Sequence, residues 1–302
     1  MTRVDVVVVT YRSSETVVDA VGPLTGIDWV NVIVVDNASG DGTVDLLRTL
    51  PVETIALEKN GGFAHGCNAG WRAGSSPSVL FLNPDAKIRP DDLATLVEAL
   101  ERDEHVGAVA PRIEEPDGSL DYSLRRFPRL RSSFAQALFL HRVFPEATWV
   151  DEVIRDPVAY EHAHPVEWVS GACFAVRRSV LEEIGGLDES FFHYSEDVDI
   201  CARVWQSGRE VRYVPEALAE HEGGASAPRS RLLPILAASR VRYAAKHDSA
   251  PMRLAFRASV ALGAATHVVL ARDAAARRGH LGALGVALRP LPADPSHLVR
   301  GT

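Results

Sequence analysis

An α/β fold built on a mostly parallel, doubly wound sheet is what the sequence predicts, and three observations carry that expectation. VDVVVVTY (4–11) and VNVIVVD (30–36) are continuous β-branched apolar runs, the pattern of parallel strands covered on both faces. Through residue 110 such runs alternate with segments of helical period, as βαβ units require. Polar residues then gather at the ends of the runs, where open α/β sheets bind ligands.

Taken in order, Ser13 or Ser14 with Glu15 caps a helix whose apolar period runs through Val17, Val18 and Val21. After the second strand, NASGDGT leads to a helix capped by Thr43 and ending near Leu50. Residues 52–57 and 78–82 supply two more strands, with EKNGGFAHGCNAGWRAG and its helix between them. DDLATLVEALERD (91–103), opened by Pro90, is an amphipathic helix, and HVGAVAP (105–111) is a strand. A Pro-Asp-Gly turn makes 112–131 a hairpin plus loop, and 132–165 mixes helix and loop without a clear period. Residues 167–189 read as a strand, a helix from Ser179 and a Gly-Gly stop. VRYVP (211–215) is the last strand, 217–231 a polar loop, and the rest is helical and basic. The expected division is one domain over 1–228, in two halves at 1–110 and 111–228. A basic helical region follows over 229–302.

At 302 residues, 46% hydrophobic and 24% charged, the chain has an ordinary globular composition. Cys67, Cys173 and Cys201 lie far apart with no CxxC, which argues against a disulfide framework or zinc ribbon and fits a reducing cytosol. The N-terminal apolar run is too short for a signal peptide, and no stretch reaches 18 uninterrupted apolar residues, so a spanning helix is not expected. The net charge of −8 conceals an asymmetry: 229–302 carries 12 Lys/Arg against 3 Asp, a balance of +9, and 1–228 stands at −17. No nucleic-acid partner is expected of so acidic a body. The tail, with Arg253, Arg257, Arg272, Arg277 and Arg278 flanking apolar stretches, suits either an anionic membrane surface or packing with a basic outer face.

The chemistry centres on FFHYSEDVDICAR (191–203), where His193, Glu196, Asp197 and Asp199 sit among aromatic and apolar neighbours. One acid in the first turn is a helix cap; three beside a run of aromatics also describe a cleft wall. Thr10 and Tyr11, Asp36 and Asn37, and Asn83 and Asp85 end three strands on one rim, although each is also an ordinary turn residue. The 58–70 loop is neither GxGxxG nor GxxxxGK, so the dinucleotide and P-loop fingerprints fail; Gly61 and Gly62 allow a close backbone approach or a plain turn. In LNPDA, Asn83 and Asp85 flank Pro84 and suit a hard cation that also holds phosphate oxygens, or a turn. Arg125 and Arg126 are anion contacts or a solvated basic pair, and His221 follows a strand before a Gly-Gly hinge.

VVVTYRS, VVDNASGDGT, NGGFAHGCNAG, FLNPDA, GACFAVRRSVLEEIGGLDESFFHYSEDVDICARVWQSG and His221 occur in that order. Together they resemble the family 2 glycosyltransferases of GT-A fold, and within them the bacterial rhamnosyltransferases that build cell-wall linkers and surface polysaccharides. The likeness covers roughly 3–225, and it makes 1–110 a nucleotide-binding half and 111–228 an acceptor half. It implies that Thr10, Tyr11, Asp36 and Asn37 hold the nucleotide base and ribose, with Asn60 and Gly61 nearby. Asp85 becomes the metal-binding acid of the DxD-type motif and His221 a further ligand or diphosphate contact, for Mg²⁺ or Mn²⁺. Asp197 becomes the catalytic base, Glu196 orients the acceptor or the base, and Trp168, Gly171 and Ala172 line the sugar pocket. The sequence departs from the family at Asn83, where the first acid of the motif is common; a neutral ligand leaves the ion mainly to Asp85 and the donor diphosphate.

The resemblance further implies an inverting displacement, with Phe191, Phe192 and Tyr194 excluding water and the 222–231 loop closing over the donor. The expected donor is dTDP-L-rhamnose and the acceptor a polyprenyl-diphosphate-linked saccharide at the cytoplasmic face of the membrane, with the enzyme peripheral there. UDP-galactofuranose, UDP-glucose or GDP-mannose are the competing donors. A catalytically silent nucleotide-sugar-binding subunit is the competing class, and a nicotinamide oxidoreductase fits poorly without its glycine fingerprint.

Overall fold

The computed structural model describes residues 3–145, 147–223 and 229–292. The strands are β1 (Val4–Thr10), β2 (Val30–Asp36), β3 (Glu53–Ala56), β4 (Ser78–Leu82), β5 (Ala86–Ile88), β6 (Val106–Glu114), β7 (Leu124–Arg125), β8 (His164–Val166), β9 (Trp168–Val169), β10 (Cys173–Arg177) and β11 (Glu210–His221). The helices are α1 (Val17–Val21), α2 (Thr43–Leu47), α3 (Phe63–Ala73), α4 (Pro90–Arg102), α5 (Leu130–Ala137), α6 (Leu140–Val143), α7 (Arg178–Ile184), α8 (Glu196–Gln206), α9 (Arg229–His247), α10 (Ala250–Leu270) and α11 (Ala274–Leu288). They fall into two compact units: Met1–Arg125, Arg155–Asp188 and Asp197–Ser226 form the first, and Arg126–Ile154, Glu189–Glu196 and Ala227–Thr302 the second. The boundary expected at 228/229 lies close to one of these, but 126–154 and 189–196, read as part of the acceptor half, group with the C-terminal helices.

The first unit holds the nine-stranded sheet, ordered β3-β2-β1-β4-β10-β6-β11-β5 with β8 on β11. β3, β2, β1 and β4 run parallel, and β10 enters antiparallel between β4 and β6. Every residue of β1 is buried, including Asp5, which accepts from Asn31, Ser76 and Arg178. α3 lies close on β1 and β2 because glycines face the sheet; a Cβ at Gly66 would stand 2.5 Å from Val9 Cγ1.

Several local expectations are corrected. Thr43 is not the cap of α2: Gly42 holds that place with φ 86°, and Asp41 accepts from the Thr43 amide. Nor does a capping box open α1, whose N-cap Thr16 makes no side-chain cap bond. The expected hairpin shrinks to one bridge, Glu114 to Leu120, and β7 pairs with β9 instead. β11 continues to His221 through an irregularity between Val214 and Leu218, so the loop expected from 217 begins only after 221. The physical reason is alternation: Ala217 and Ala219 are buried against the sheet, and the strand's end gains a partner in β5. Of the expected closing loop, 224–228 lie outside the described residues.

In the second unit, α9, α10 and α11 share a core of Ala237, Ala264 and Ala283 with Leu233 and Val260 packed against it. α11 approaches α9 through glycine: a Cβ at Gly279 would stand 2.5 Å from the Ser230 carbonyl oxygen, and one at Gly282 2.8 Å from Pro234 Cγ. α10 is fastened to α5 by the Ser133–Ser259 hydroxyl pair at 2.7 Å and by Thr266 Oγ1 donating to the Ala137 carbonyl at 2.9 Å. No spanning helix was expected, yet α10 is long and apolar enough to cross a membrane, by length and composition alone, with a mean hydropathy of 1.2 over its best 18-residue window and 17% of that window buried.

Candidate active site

The rim at the carboxyl ends of the parallel strands forms one hydrogen-bonded assembly. Thr10 Oγ1 donates to Asp36 Oδ1 at 3.2 Å, the Ser39 amide donates to Asp36 Oδ2 at 3.0 Å, and Ser39 Oγ accepts from the Arg12 amide. Asn37 spans to the glycine loop, taking the Gly61 amide on Oδ1 at 2.9 Å and giving Nδ2 to the Gly62 carbonyl at 3.0 Å. Asn60 Oδ1 accepts from the Gly62 amide, and Gly62, at φ 90°, is the N-cap of α3. Thr10, Asp36 and Asn37 are buried, whereas Tyr11 is exposed with the Arg12 guanidinium 5.4 Å from its ring centre. Of the rim residues read from the sequence, Thr10, Asp36 and Asn37 are thus brought together, with Tyr11 exposed beside them.

Asp85 follows β4 through a turn in which the Asn83 carbonyl accepts from the Ala86 amide. β5 then pairs with the end of β11 so that Ala86 stands opposite His221, which sets His221 Nε2 3.4 Å from Asp85 Oδ1. On its other side, His221 Nδ1 lies 3.9 Å from Asp121 Oδ2. Burial opposes a proton on His221, but Asp121 and Asp85 prevail and raise its pKa to about 9. For Asp85 burial likewise pushes upward, and the His221 hydrogen bond and charge outweigh it to hold the carboxyl below its usual range. Asp121 was not singled out from the sequence, since it sat in a stretch read as hairpin and loop.

Asp197 opens α8, where Gly171 brings its amide 3.3 Å from Asp197 Oδ2 and the Val198 amide reaches Oδ1 at 2.8 Å. A side chain at Gly171 would place its Cβ 3.4 Å from Asp197 Cβ, so the glycine leaves the carboxylate room. Burial raises the Asp197 pKa; the Val198 amide and the Arg125 charge restrain the rise. Arg125 is held by β7–β9 pairing opposite Trp168, its guanidinium 5.4 Å from the indole centre. The Ala172 carbonyl accepts from the Asn83 amide at 2.8 Å. One hydrogen-bonded path therefore runs from Asp197 through Gly171 and Ala172 to Asn83, two residues from Asp85. Glu196 is buried, and Asp199, read from the sequence as a third acid of the cleft wall, forms instead a buried ion pair with Arg203 at 2.8 Å.

Among the described residues no group of three His, Cys, Asp or Glu side chains is arranged as a metal cage. Asp85 with His221 is nonetheless a fitting donor set for a hard divalent ion, which keeps waters and takes phosphate oxygens beside one or two protein ligands. His221 stands between the Asp85 and Asp121 carboxylates, at 3.4 and 3.9 Å, and two acids that close together favour positive charge at the spot.

The family described as glycosyl transferase family 2 matches residues 5–185. The N-acetylglucosaminyl-diphospho-decaprenol L-rhamnosyltransferase of Mycobacterium tuberculosis is 32% identical over 252 residues, covering 77% of this chain and 81% of that one. Rhamnosyltransferase WbbL of Escherichia coli K12 is 30% identical over 171 residues, 53% of this chain and 60% of its own. In architecture the chain resembles the mannosyltransferase of Pyrobaculum calidifontis solved with GDP-Man and Mn²⁺, at TM-score 0.54 and 20% identity, covering 99% of this chain and 79% of that one. Sequence and fold converge, and the chain belongs to glycosyl transferase family 2 as a rhamnosyltransferase-like glycosyltransferase of GT-A fold.

Proposed function

We propose that the enzyme moves L-rhamnose from dTDP-L-rhamnose, with inversion, onto a polyprenyl-diphosphate-linked saccharide, in cell-wall or surface polysaccharide assembly at the inner face of the membrane. The observation that carries this reading is that the 171–172 segment contacts both the buried Asp197, through the Gly171 amide, and Asn83, through the Ala172 carbonyl, two residues before the Asp85 that pairs with His221. A transferase needs both groups: a base for the acceptor hydroxyl and a positive centre for the departing diphosphate. The mycobacterial relative, named for L-rhamnosyl transfer to N-acetylglucosaminyl-diphospho-decaprenol, supports the choice of sugar and acceptor.

In this reading Tyr11 offers its ring to the base, while Asp36, Asn37, Asn60 and Gly61 shape the bed for the ribose. Trp168, Gly171 and Ala172 border the sugar. Asp85 and His221, with Asn83 as a neutral neighbour, are the residues that would hold Mg²⁺ or Mn²⁺, and such an ion would supply charge neutralisation for the leaving diphosphate. Asp197 takes the acceptor proton; its upward-shifted pKa makes it a better proton acceptor than an ordinary aspartate. Glu196, its neighbour in the chain, orients the acceptor. Release of nucleoside diphosphate from a panel of donors, with and without EDTA, tests the assignment. Turnover of dTDP-L-rhamnose that EDTA abolishes supports it. Turnover of UDP-galactofuranose, UDP-glucose or GDP-mannose in its place overturns the donor.

A further inference from the structure

His221 is the last residue of β11, and the sheet order there is β6-β11-β5, so the strand has a neighbour on each side. Toward β5, Ala86 stands opposite His221, and the Glu222 amide donates to the Asp85 carbonyl at 3.1 Å. Toward β6, Ala219 and Glu220 stand opposite Ile113 and Glu114. Asp121 belongs to this second side: its amide donates to the Ile113 carbonyl at 3.0 Å, and Leu120 before it bridges to Glu114. The imidazole therefore stands between two carboxylates tied to opposite neighbours of one strand, Asp85 at Nε2 and Asp121 at Nδ1.

These backbone bonds fix where the ring is attached but not which way it is turned. The second side-chain torsion of histidine is broad and about two-fold, and a half-turn puts carbons where the nitrogens stood. Asp85 is committed to the cation in the reading above, so it is not free to serve as the acceptor that orients the ring. Asp121 is the carboxylate on the other nitrogen.

Imidazole chemistry makes the orientation consequential. A neutral ring carries a hydrogen on one nitrogen and a lone pair on the other, and a divalent ion needs the lone pair. An ionised carboxylate can only accept, so Asp121 favours the hydrogen on Nδ1 and leaves the Nε2 lone pair facing Asp85. At 3.9 Å the Nδ1–Oδ2 contact is longer than a hydrogen bond, and Asp121 acts through its charge. Burial keeps that charge from being screened away, since the His221 and Asp121 side chains are 15% and 25% exposed. Among the described residues no three acidic, histidine or cysteine side chains are grouped to hold an ion, so Asp121 is placed behind the histidine and not beside it as a third ligand.

We propose that Asp121 is a positioning residue for the cation site, holding the His221 imidazole with Nδ1 toward itself and Nε2 toward Asp85, so that histidine and aspartate converge on one divalent ion. The proposal rests on the metal reading above and adds to it a carboxylate that works through the histidine. Outer partners of this kind change metal affinity by about 10–100-fold.

The test reads metal affinity and not turnover. Mn²⁺ binding to the full-length protein, with dTDP and in parallel UDP present, is followed by the electron paramagnetic resonance signal of the free ion. Wild type, Asp121→Asn, His221→Gln and the double variant are compared, with a cooperative melt showing that each is folded. Asp121→Asn is expected to weaken Mn²⁺ binding roughly tenfold in the wild-type background and less than about twofold in the His221→Gln background, because its effect passes through the ring. An equal loss in both backgrounds overturns the proposal, since it makes Asp121 a direct ligand or a general source of negative field. Unchanged affinity in Asp121→Asn beside a loss in His221→Gln also overturns it, and leaves the metal reading standing. If the wild type binds no Mn²⁺, or His221→Gln leaves its affinity untouched, the metal reading itself falls and takes the proposal with it.

Discussion

At Asp197 the group that the reaction needs is also a group that folding tolerates poorly. Its folded pKa lies above the unfolded value, because burial penalises the anion. Stability therefore falls as pH rises through the interval between the two, and above it the ionised carboxylate is a net cost. Asp197→Asn is expected to lower transfer by about 10²–10⁴-fold, the usual range for loss of a general base, while raising the melting temperature at pH 7. Donor binding that survives while transfer is lost identifies a base; unchanged transfer refutes the role. His221 has the opposite sign. A histidine raised from 6.5 to about 9 contributes stability fully present below pH 6.5 and lost as pH rises through 9, on the order of 3 kcal/mol. Melting temperatures of metal-free wild type and His221→Gln, compared from pH 6 to 10, are expected to converge at the alkaline end. Mn²⁺ affinity is expected to tighten over the same interval, since the ion must displace that proton.

At the scale of elements, α3 and β1 show what was legible and what was not. The β-branched run of β1 announced a buried parallel strand, but in NGGFAHGCNAG only Gly61 and Gly62 drew notice, as a close backbone approach or a plain turn, and the approach of Gly66 to Val9 was not announced. The partner of Asp5 was not announced, because Arg178 lies 173 residues away and only the sheet order brings it to 2.5 Å. Removing that partner's mate, as in Asp5→Ala, leaves a nearly buried cation and is expected to cost about 3–5 kcal/mol. Gly66→Ala forces a methyl toward Val9 and is expected to cost about 1–3 kcal/mol, read as a lower urea midpoint at unchanged m. The same distinction explains the active site. Thr10 and Asp36 end strands and Asn83 and Asp85 follow one, so their places could be read from the pattern while their roles came from the family resemblance; His221, expected after a strand, is the last residue of β11. Asp121 reaches His221 only through tertiary approach, so local pattern carried no signal for it. The helical unit was harder still: its core is alanine and glycine contact between segments distant in sequence, and 132–165 has no apolar stripe of its own to betray which side it buries.

For the whole molecule, charge and apolar exposure point to the same partner. The segment 229–302 carries +9 against −17 for the rest, so an anionic bilayer attracts one part of the chain and repels the other. In the helical unit the exposed large apolar residues include Leu254, Val269 and Leu288 on α10 and α11, and Val143, Phe144 and Trp149 near α6. Aromatic and aliphatic side chains beside arginines are the composition of an interfacial surface, in which each Lys or Arg near the lipid contributes on the order of 1 kcal/mol. Co-sedimentation with vesicles is therefore expected to rise with the fraction of anionic lipid and to fall as salt screens the attraction. Arg253→Glu/Arg257→Glu, which reverses two charges at the start of α10, is expected to lower the partition coefficient roughly tenfold or more. Val269→Glu is expected to weaken it with little change in its salt dependence, because it removes apolar contact and adds only one charge. If the full chain fails to sediment even at low ionic strength with purely anionic vesicles, the basic face serves only to stay in water. The enzyme must then meet its acceptor without resting on the bilayer.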